Sequence, residues 1–166
     1  DTYREHRPRI SLLPDTRRAL TGLRGTFLLG ILSDGLAAVQ RQKLKALGVA
    51  DMVDAIVLTE EMGPLAGKPS TAGFRQILDQ LCCEARDAIY VGDNPLKDFA
   101  GPNRLGMSTA MVRRPGGVYA TATAPSAEYE PSCVVSDLDE LVQGLPLLLP
   151  GGIMKCQPEP SRGQAS

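Results

Sequence analysis

Two aspartates, Asp93 and Asp98, stand in the segment Gly92-Asp93-Asn94-Pro95-Leu96-Lys97-Asp98. The first follows an apolar run and the second is expected at the start of a helix, so one turn of chain can bring both carboxylates around a single cation. Carboxylate oxygens combined with several waters suit Mg²⁺, which dehydrates reluctantly. Gly92 is expected to let the backbone turn sharply at the strand end. Lys68, in Gly67-Lys68-Pro69-Ser70, precedes a proline at an expected helix start. There its ammonium can serve a phosphate as a fixed positive charge. Ser33, in Ser33-Asp34-Gly35, ends another apolar run. Its hydroxyl and the N–H groups that follow can donate to phosphoryl oxygens. The candidate phosphate-binding set is therefore Ser33, Asp34, Gly35 and Lys68, with Asp93 and Asp98 as metal ligands.

Taken singly, each of these residues also has an ordinary reading as a strand end, a helix cap or a surface lysine. Their order along the chain, hydroxyl then lysine then acidic pair, is the stronger signal. Two other motifs are excluded. Gly63 and Gly67 have three residues between them, one short of a nucleotide-binding Gly-x₄-Gly-Lys-Ser/Thr loop, and Pro69 stands where the hydroxyl belongs. No strand-to-helix Gly-x-Ser-x-Gly surrounds Ser33, and the single histidine is His6, so Ser33 is not expected to be a nucleophile.

The elements that must position these residues alternate. Residues 26–32 read as a strand buried on both faces. Residues 36–47 read as a helix with Val39, Leu44 and Leu47 on one side and Gly48 as its stop. A strand over 55–58 is followed by a helix capped by Ser70 that carries Phe74, Ile77, Leu78 and Leu81. A strand over 88–91 leads into a helix over 96–105, then strands over 108–112 and 132–135 and a helix from Asp137. Such alternation predicts a Rossmann-like α/β fold: three layers, with a mostly parallel sheet and helices on both faces. Ligands of such sheets bind beyond the carboxyl ends of the strands, where Ser33, Lys68 and Asp93 are expected.

The 166 residues suit one domain with its own core. Hydrophobic residues make up 43% and charged residues 22%, the balance of an ordinary globular chain. A net charge of −1 gives no sign of nucleic acid or an anionic membrane as partner. No apolar run approaches the roughly 20 residues that span a bilayer. The first residues are polar and do not read as a signal peptide, and the chain lacks an initiator Met, so it is expected to begin inside a longer protein. Cys82, Cys83, Cys133 and Cys156 read as reduced thiols of a cytoplasmic protein.

Beyond the residues themselves, the sequence resembles the haloacid dehalogenase (HAD) superfamily of hydrolases, in particular members with a helical cap inserted early in the chain. Gly30-Ile31-Leu32-Ser33-Asp34-Gly35 looks like the second motif of that family, Gly67-Lys68-Pro69 like the third, and Val91-Gly92-Asp93-Asn94-Pro95-Leu96-Lys97-Asp98-Phe99 like the fourth. The resemblance implies a Mg²⁺-dependent phosphatase that acts on a small phosphorylated metabolite through an aspartyl-phosphate. Ser33 would hold the phosphoryl group, Lys68 would neutralise its charge, and Asp93 and Asp98 would hold the metal. The first motif, hydrophobic-Asp-x-Asp, supplies the nucleophile and the general acid in the family, and nothing like it precedes residue 26. Residues 1–13 are thus expected as the return from a cap, 14–145 as an incomplete core, and 146–166 as a disordered tail. The chain alone is expected to be inactive, with a non-catalytic phosphate-binding or regulatory module as the other reading. A receiver-like domain is disfavoured because it needs an acidic pair on its first strand. A missing central strand should also leave sheet edges open to pairing with another chain.

Overall fold

The computed structural model describes residues 9–149. Residues 150–166 of the expected tail over 146–166, and 1–8 of the expected cap return over 1–13, lie outside these residues. Five strands and five α-helices follow one another. Helix α1 is Pro14–Leu23, β1 is Gly30–Ser33 and α2 is Ala37–Leu47. Strand β2 is Ala55–Leu58, α3 is Ala72–Gln80 and β3 is Ile89–Gly92. Helix α4 is Ala100–Leu105, β4 is Ser108–Val112, β5 is Cys133–Val135 and α5 is Leu138–Leu148.

Every ladder is parallel, as the alternation predicted, but the strands form two sheets, β1-β2 and β3-β4-β5. Gly30 of β1 lies opposite Ala55 and Ser33 opposite Leu58. Ile89 of β3 lies opposite Ser108, and Ala110 of β4 opposite Cys133. Helix α3 covers β1 and β2, where Ile77 packs with Ala55, Val57 and Leu32. Phe74 and Leu78 of the same helix reach Tyr90 and Met107 of the second half. The Phe74 and Tyr90 rings meet edge to face with centroids 4.8 Å apart. One core residue therefore spans both sheets, and Phe74 is completely buried.

Several expected boundaries shift for physical reasons. The strand expected over 26–32 and buried on both faces is shorter, and β1 is exposed at Gly30 and only half-buried from Ile31 to Ser33. Residues 23–27 instead form a turn in which Phe27 N–H donates to the Leu23 carbonyl at 2.9 Å. The incomplete burial follows from the gap between the two sheets, because β1 has a ladder on one edge only. The helix expected from 96 begins at Ala100, since Asn94 and Pro95 hold a turn in which Leu96 N–H donates to Asn94 Oδ1 at 3.0 Å. Ser70 does not stand at the cap of α3; Thr71 does, while the Ser70 hydroxyl accepts the Ala72 N–H at 3.3 Å. Helix α5 runs to Leu148, past the core boundary expected at 145.

Helix α1 was not anticipated, because it is short and poor in apolar residues, and Ala19 is its only buried one. Pro14 opens it at a position where the missing N–H costs nothing. Its anchor is Asp15, which is 7% exposed. The Asp15 carboxylate accepts from Arg114 at 2.6 Å and from the Leu138 N–H at the start of α5 at 3.0 Å. Burial works against its charge, but the Leu138 N–H and the Arg114 guanidinium outweigh burial and hold the carboxyl below the usual carboxylate range. Asp15→Ala should therefore lower the unfolding free energy by about 2 kcal/mol, since it orphans two donors. Urea melts check this. The folded value lies below the unfolded one, near 3.9, so Asp15's contribution is complete above the unfolded value and is lost as pH falls through the folded one. The variant's stability should fall less steeply than the parent's across that acidic window.

Candidate active site

The carboxyl ends of β1, β2 and β3 converge on one edge, and the side chains singled out in the sequence sit there. Asp34, just past β1, is the hub of the first sheet. Its Oδ1 accepts from the Thr59 hydroxyl at 3.0 Å and from the Lys68 N–H at 3.3 Å. Its Oδ2 pairs with the Lys97 ammonium at 2.8 Å. Burial opposes the Asp34 charge, but Lys97, Lys68 and the Thr59 hydroxyl prevail and hold its carboxyl below the ordinary range. Gly35 follows at φ +96°, a conformation that favours glycine. The Ser33 hydroxyl donates to Gln40 Oε1 of α2 at 3.1 Å, which orients it across the start of that helix.

Lys68 is delivered by the loop after β2, and its side chain is 10% exposed. Its ammonium lies 2.8 Å from Asp98 Oδ1 and donates to the Tyr90 hydroxyl at 2.9 Å. Burial alone would lower its pKa, yet the groups beside it hold it above the ordinary lysine range. Tyr90 itself is pushed up to about 12, chiefly by burial, so its hydroxyl is neutral near pH 7. The charge facing Lys68 at that pH is therefore Asp98.

The acidic loop is organised around Asp98. Its Oδ2 accepts the Asp93 N–H at 3.2 Å and the Asn94 N–H at 2.9 Å. Asp98 therefore turns back into the loop from just before α4. Gly92 has a different task from the sharp turn expected of it, because a Cβ there would lie 2.7 Å from Asp98 Oδ2. It is close approach of a carboxylate, not backbone twist, that demands glycine. Burial and then the Asp98 charge raise the Asp93 pKa above the usual carboxylate value. A cation at this position would relieve both effects.

Among the described residues no group of three or more His, Cys, Asp or Glu side chains forms a metal cluster. Two carboxylates still fit Mg²⁺, which is held by one or two carboxylates plus waters and substrate phosphate oxygens. Asp98 Oδ1 supports the fit, since it is buried and takes no hydrogen bond, only the ionic contact from Lys68. The structure thus brings together Asp34, Lys68, Asp93 and Asp98, with Ser33 and Gly35 on the same edge. Residue types and spacing left Thr59, Tyr90 and Lys97 unmarked as site residues. Thr59 at the carboxyl end of β2 was the one detectable signal. Among the described residues no helix is long and apolar enough to cross a membrane.

Comparison with known proteins places this geometry in a family. Residues 1–112 match the model of the haloacid dehalogenase-like hydrolases. Over 102 residues the chain is 38% identical to a glyceraldehyde 3-phosphate phosphatase of Methanopyrus kandleri, covering 61% of this chain and 43% of that protein. It is 32% identical over 122 residues to a ribulose-1,5-bisphosphate 5-phosphatase of Halopiger xanaduensis, covering 73% and 50%. Among solved structures, a HAD phosphatase from Thermococcus onnurineus superposes with a TM-score of 0.68 at 27% identity, over 81% of this chain and 58% of that one. The chain spans about half the length of the curated relatives it matches. It belongs to the haloacid dehalogenase-like hydrolase family.

Proposed function

We propose that these residues form the carboxyl-terminal part of a Mg²⁺-dependent phosphatase acting on a small phosphate monoester. The observation that carries this reading is the meeting of Lys68 with Asp98 and Asp93 at one sheet edge, beside the hydroxyl of Ser33. The names of the relatives favour phosphate esters: glyceraldehyde 3-phosphate, ribulose-1,5-bisphosphate and phosphoserine phosphatases are among them.

Ser33 and the N–H groups at the start of α2 would donate to the phosphoryl oxygens. Lys68 would place its ammonium against the charge that builds on the transferring group. Asp93 and Asp98 would hold Mg²⁺, which supplies Lewis-acid stabilisation of the phosphoryl oxygens when bound. In the intact protein a carboxylate oxygen from an aspartate outside these residues would form the bond to phosphorus as the ester P–O bond breaks. The departing alkoxide would take its proton from a second carboxyl group. Water would then attack the aspartyl-phosphate at phosphorus, releasing inorganic phosphate and restoring the carboxylate.

On this reading the present chain has the phosphate and metal edge without the attacking group. Assayed with p-nitrophenyl phosphate and Mg²⁺, it should show no turnover above the uncatalysed rate. Mg²⁺-dependent turnover that disappears in Asp93→Ala would overturn that expectation. In a longer protein carrying an upstream Asp-x-Asp, Lys68→Ala should lower kcat about 10²–10³-fold. Asp98→Asn there should raise the Mg²⁺ concentration needed for half-maximal rate. An upstream sequence without such a pair would count against the phosphatase and leave a phosphate-binding module.

A further inference from the structure

We infer that the cavity between the carboxyl ends of β3 and β4 and the start of α5 is a subsite for a second oxyanion on the ligand, a carboxylate or a further phosphate, recognised by Arg114. The cavity stands on its own geometry; that the ligand's phosphoryl group lies beside Asp93 rests on the phosphatase reading above.

The ladder fixes the position. Gly92 of β3 lies opposite Met111 of β4. Asp93 therefore falls opposite Val112, and Arg114 stands two residues farther along. At about 3.3 Å per residue and about 4.8 Å between strands, their backbones are about 8 Å apart. Asp93 and Arg114 line one cavity of about 290 Å³, walled by Val91, Val112 and Leu138 and bordered by Tyr119 of the loop after β4. That volume falls at the low end of small-molecule sites, which run from about 300 to 1,000 Å³. It suits an oxyanion carried on a few carbons.

Two adjacent arginines stand here, and their side chains are committed differently. Alternation along a strand sends Val112 and Arg114 to one face and Met111 and Arg113 to the other. Arg113 Nη2 reaches Met111 Sδ at 3.5 Å and the Ala122 carbonyl at 3.3 Å, so its guanidinium serves the loop between β4 and β5. Arg114 Nη2 donates to Asp15 Oδ2 at 2.6 Å, the oxygen that also accepts the Leu138 N–H at 3.0 Å. Leu138 lines the cavity, so the Arg114 guanidinium is held at its wall.

A guanidinium presents a planar fork of donors that matches the oxygens of a carboxylate or phosphate. Among the described residues Asp15 is the one acceptor for the Arg114 side chain, which is 31% exposed. That bond orients the plane and leaves the other N–H groups to a ligand. The side chains of Val91, Val112 and Leu138 offer them no acceptor. An oxyanion does, in a partly desolvated space where such a bond is stronger than in water. Asp93 also borders the cavity, and its charge opposes a second anion. Mg²⁺ held there, on the phosphatase reading, reverses that sign.

The test is two-dimensional NMR of this isotope-labelled chain with Mg²⁺ and matched probes. 3-Phosphoglycerate carries a carboxylate where glycerol 3-phosphate carries a hydroxymethyl group. Propane-1,3-diol bisphosphate carries a second phosphate that propyl phosphate lacks. Amide shifts at 112–119 and Leu138 should saturate, and in at least one pair the probe with the second anion should bind at least about tenfold tighter, a 1.4 kcal/mol difference. The pair with the larger ratio identifies the group. Arg114→Lys keeps a cation against Asp15 but loses the fork, so the ratio should fall below about threefold while the rest of the spectrum is retained. No saturable shift at 112–119 with any probe overturns the inference. So does equal affinity within both pairs, or a ratio that survives Arg114→Lys. Shifts at 33–36 and 93–98 are read separately. Shifts there with none at 112–119 uphold the phosphate edge and overturn the subsite. Saturation at 112–119 with none there upholds the subsite and overturns the phosphatase reading.

Discussion

Two ion pairs cross the break in the sheet, and the candidate site depends on them. The first sheet contributes Asp34 and Lys68; the second contributes Lys97 and Asp98. Lys68 meets Asp98, and Lys97 meets Asp34, each at 2.8 Å. Among the described residues no strand joins the halves at this edge, so crossed charges do. The pairs differ in weight. Lys97 is 39% exposed, and such a pair contributes roughly 1 kcal/mol or less. Lys68 and Asp98 are 10% and 4% exposed, so removing either leaves a buried charge, a loss of about 3–5 kcal/mol.

The same groups thus serve packing and chemistry. Lys68 can face a phosphate because Tyr90 and Asp98 hold its ammonium at the carboxyl edge rather than in solvent. Asp98 can face a cation because two loop N–H groups saturate one of its oxygens and leave the other to Lys68 alone. Gly92 permits that approach, and the Phe74–Tyr90 contact ties the arrangement to the core below. Farther along the same edge Asp15 does similar work for α1, α5 and the loop after β4. Between these fastenings lies an opening with apolar walls and open strand edges.

Much of this was legible in the sequence. Ser108–Val112 matches the expected strand residue for residue, because a short apolar run in a buried parallel sheet has little freedom of register. Gly48 ends α2 in the left-handed conformation that a stop glycine implies. The acidic loop, Lys68 and Ser33-Asp34-Gly35 were identified by type and spacing, since each follows the end of a strand. What escaped depended on distant partners. Helix α1 is poor in apolar residues and is held by a carboxylate reaching Arg114. Lys97 fell within the expected helix over 96–105 and was not singled out, and its partner is 63 residues away.

Local sequence therefore determined which segments become parallel strands and which residues stand at their carboxyl ends, because strand pattern, glycine stops and carboxylate spacing act over a few residues. Tertiary structure decided how those ends are paired across the molecule, and that the sheet is split between β1 and β3. Ion pairing and ladder hydrogen bonds act between residues far apart in the chain. No reading of neighbours along the sequence could place Asp34 against Lys97, or show the apolar slot between their strands.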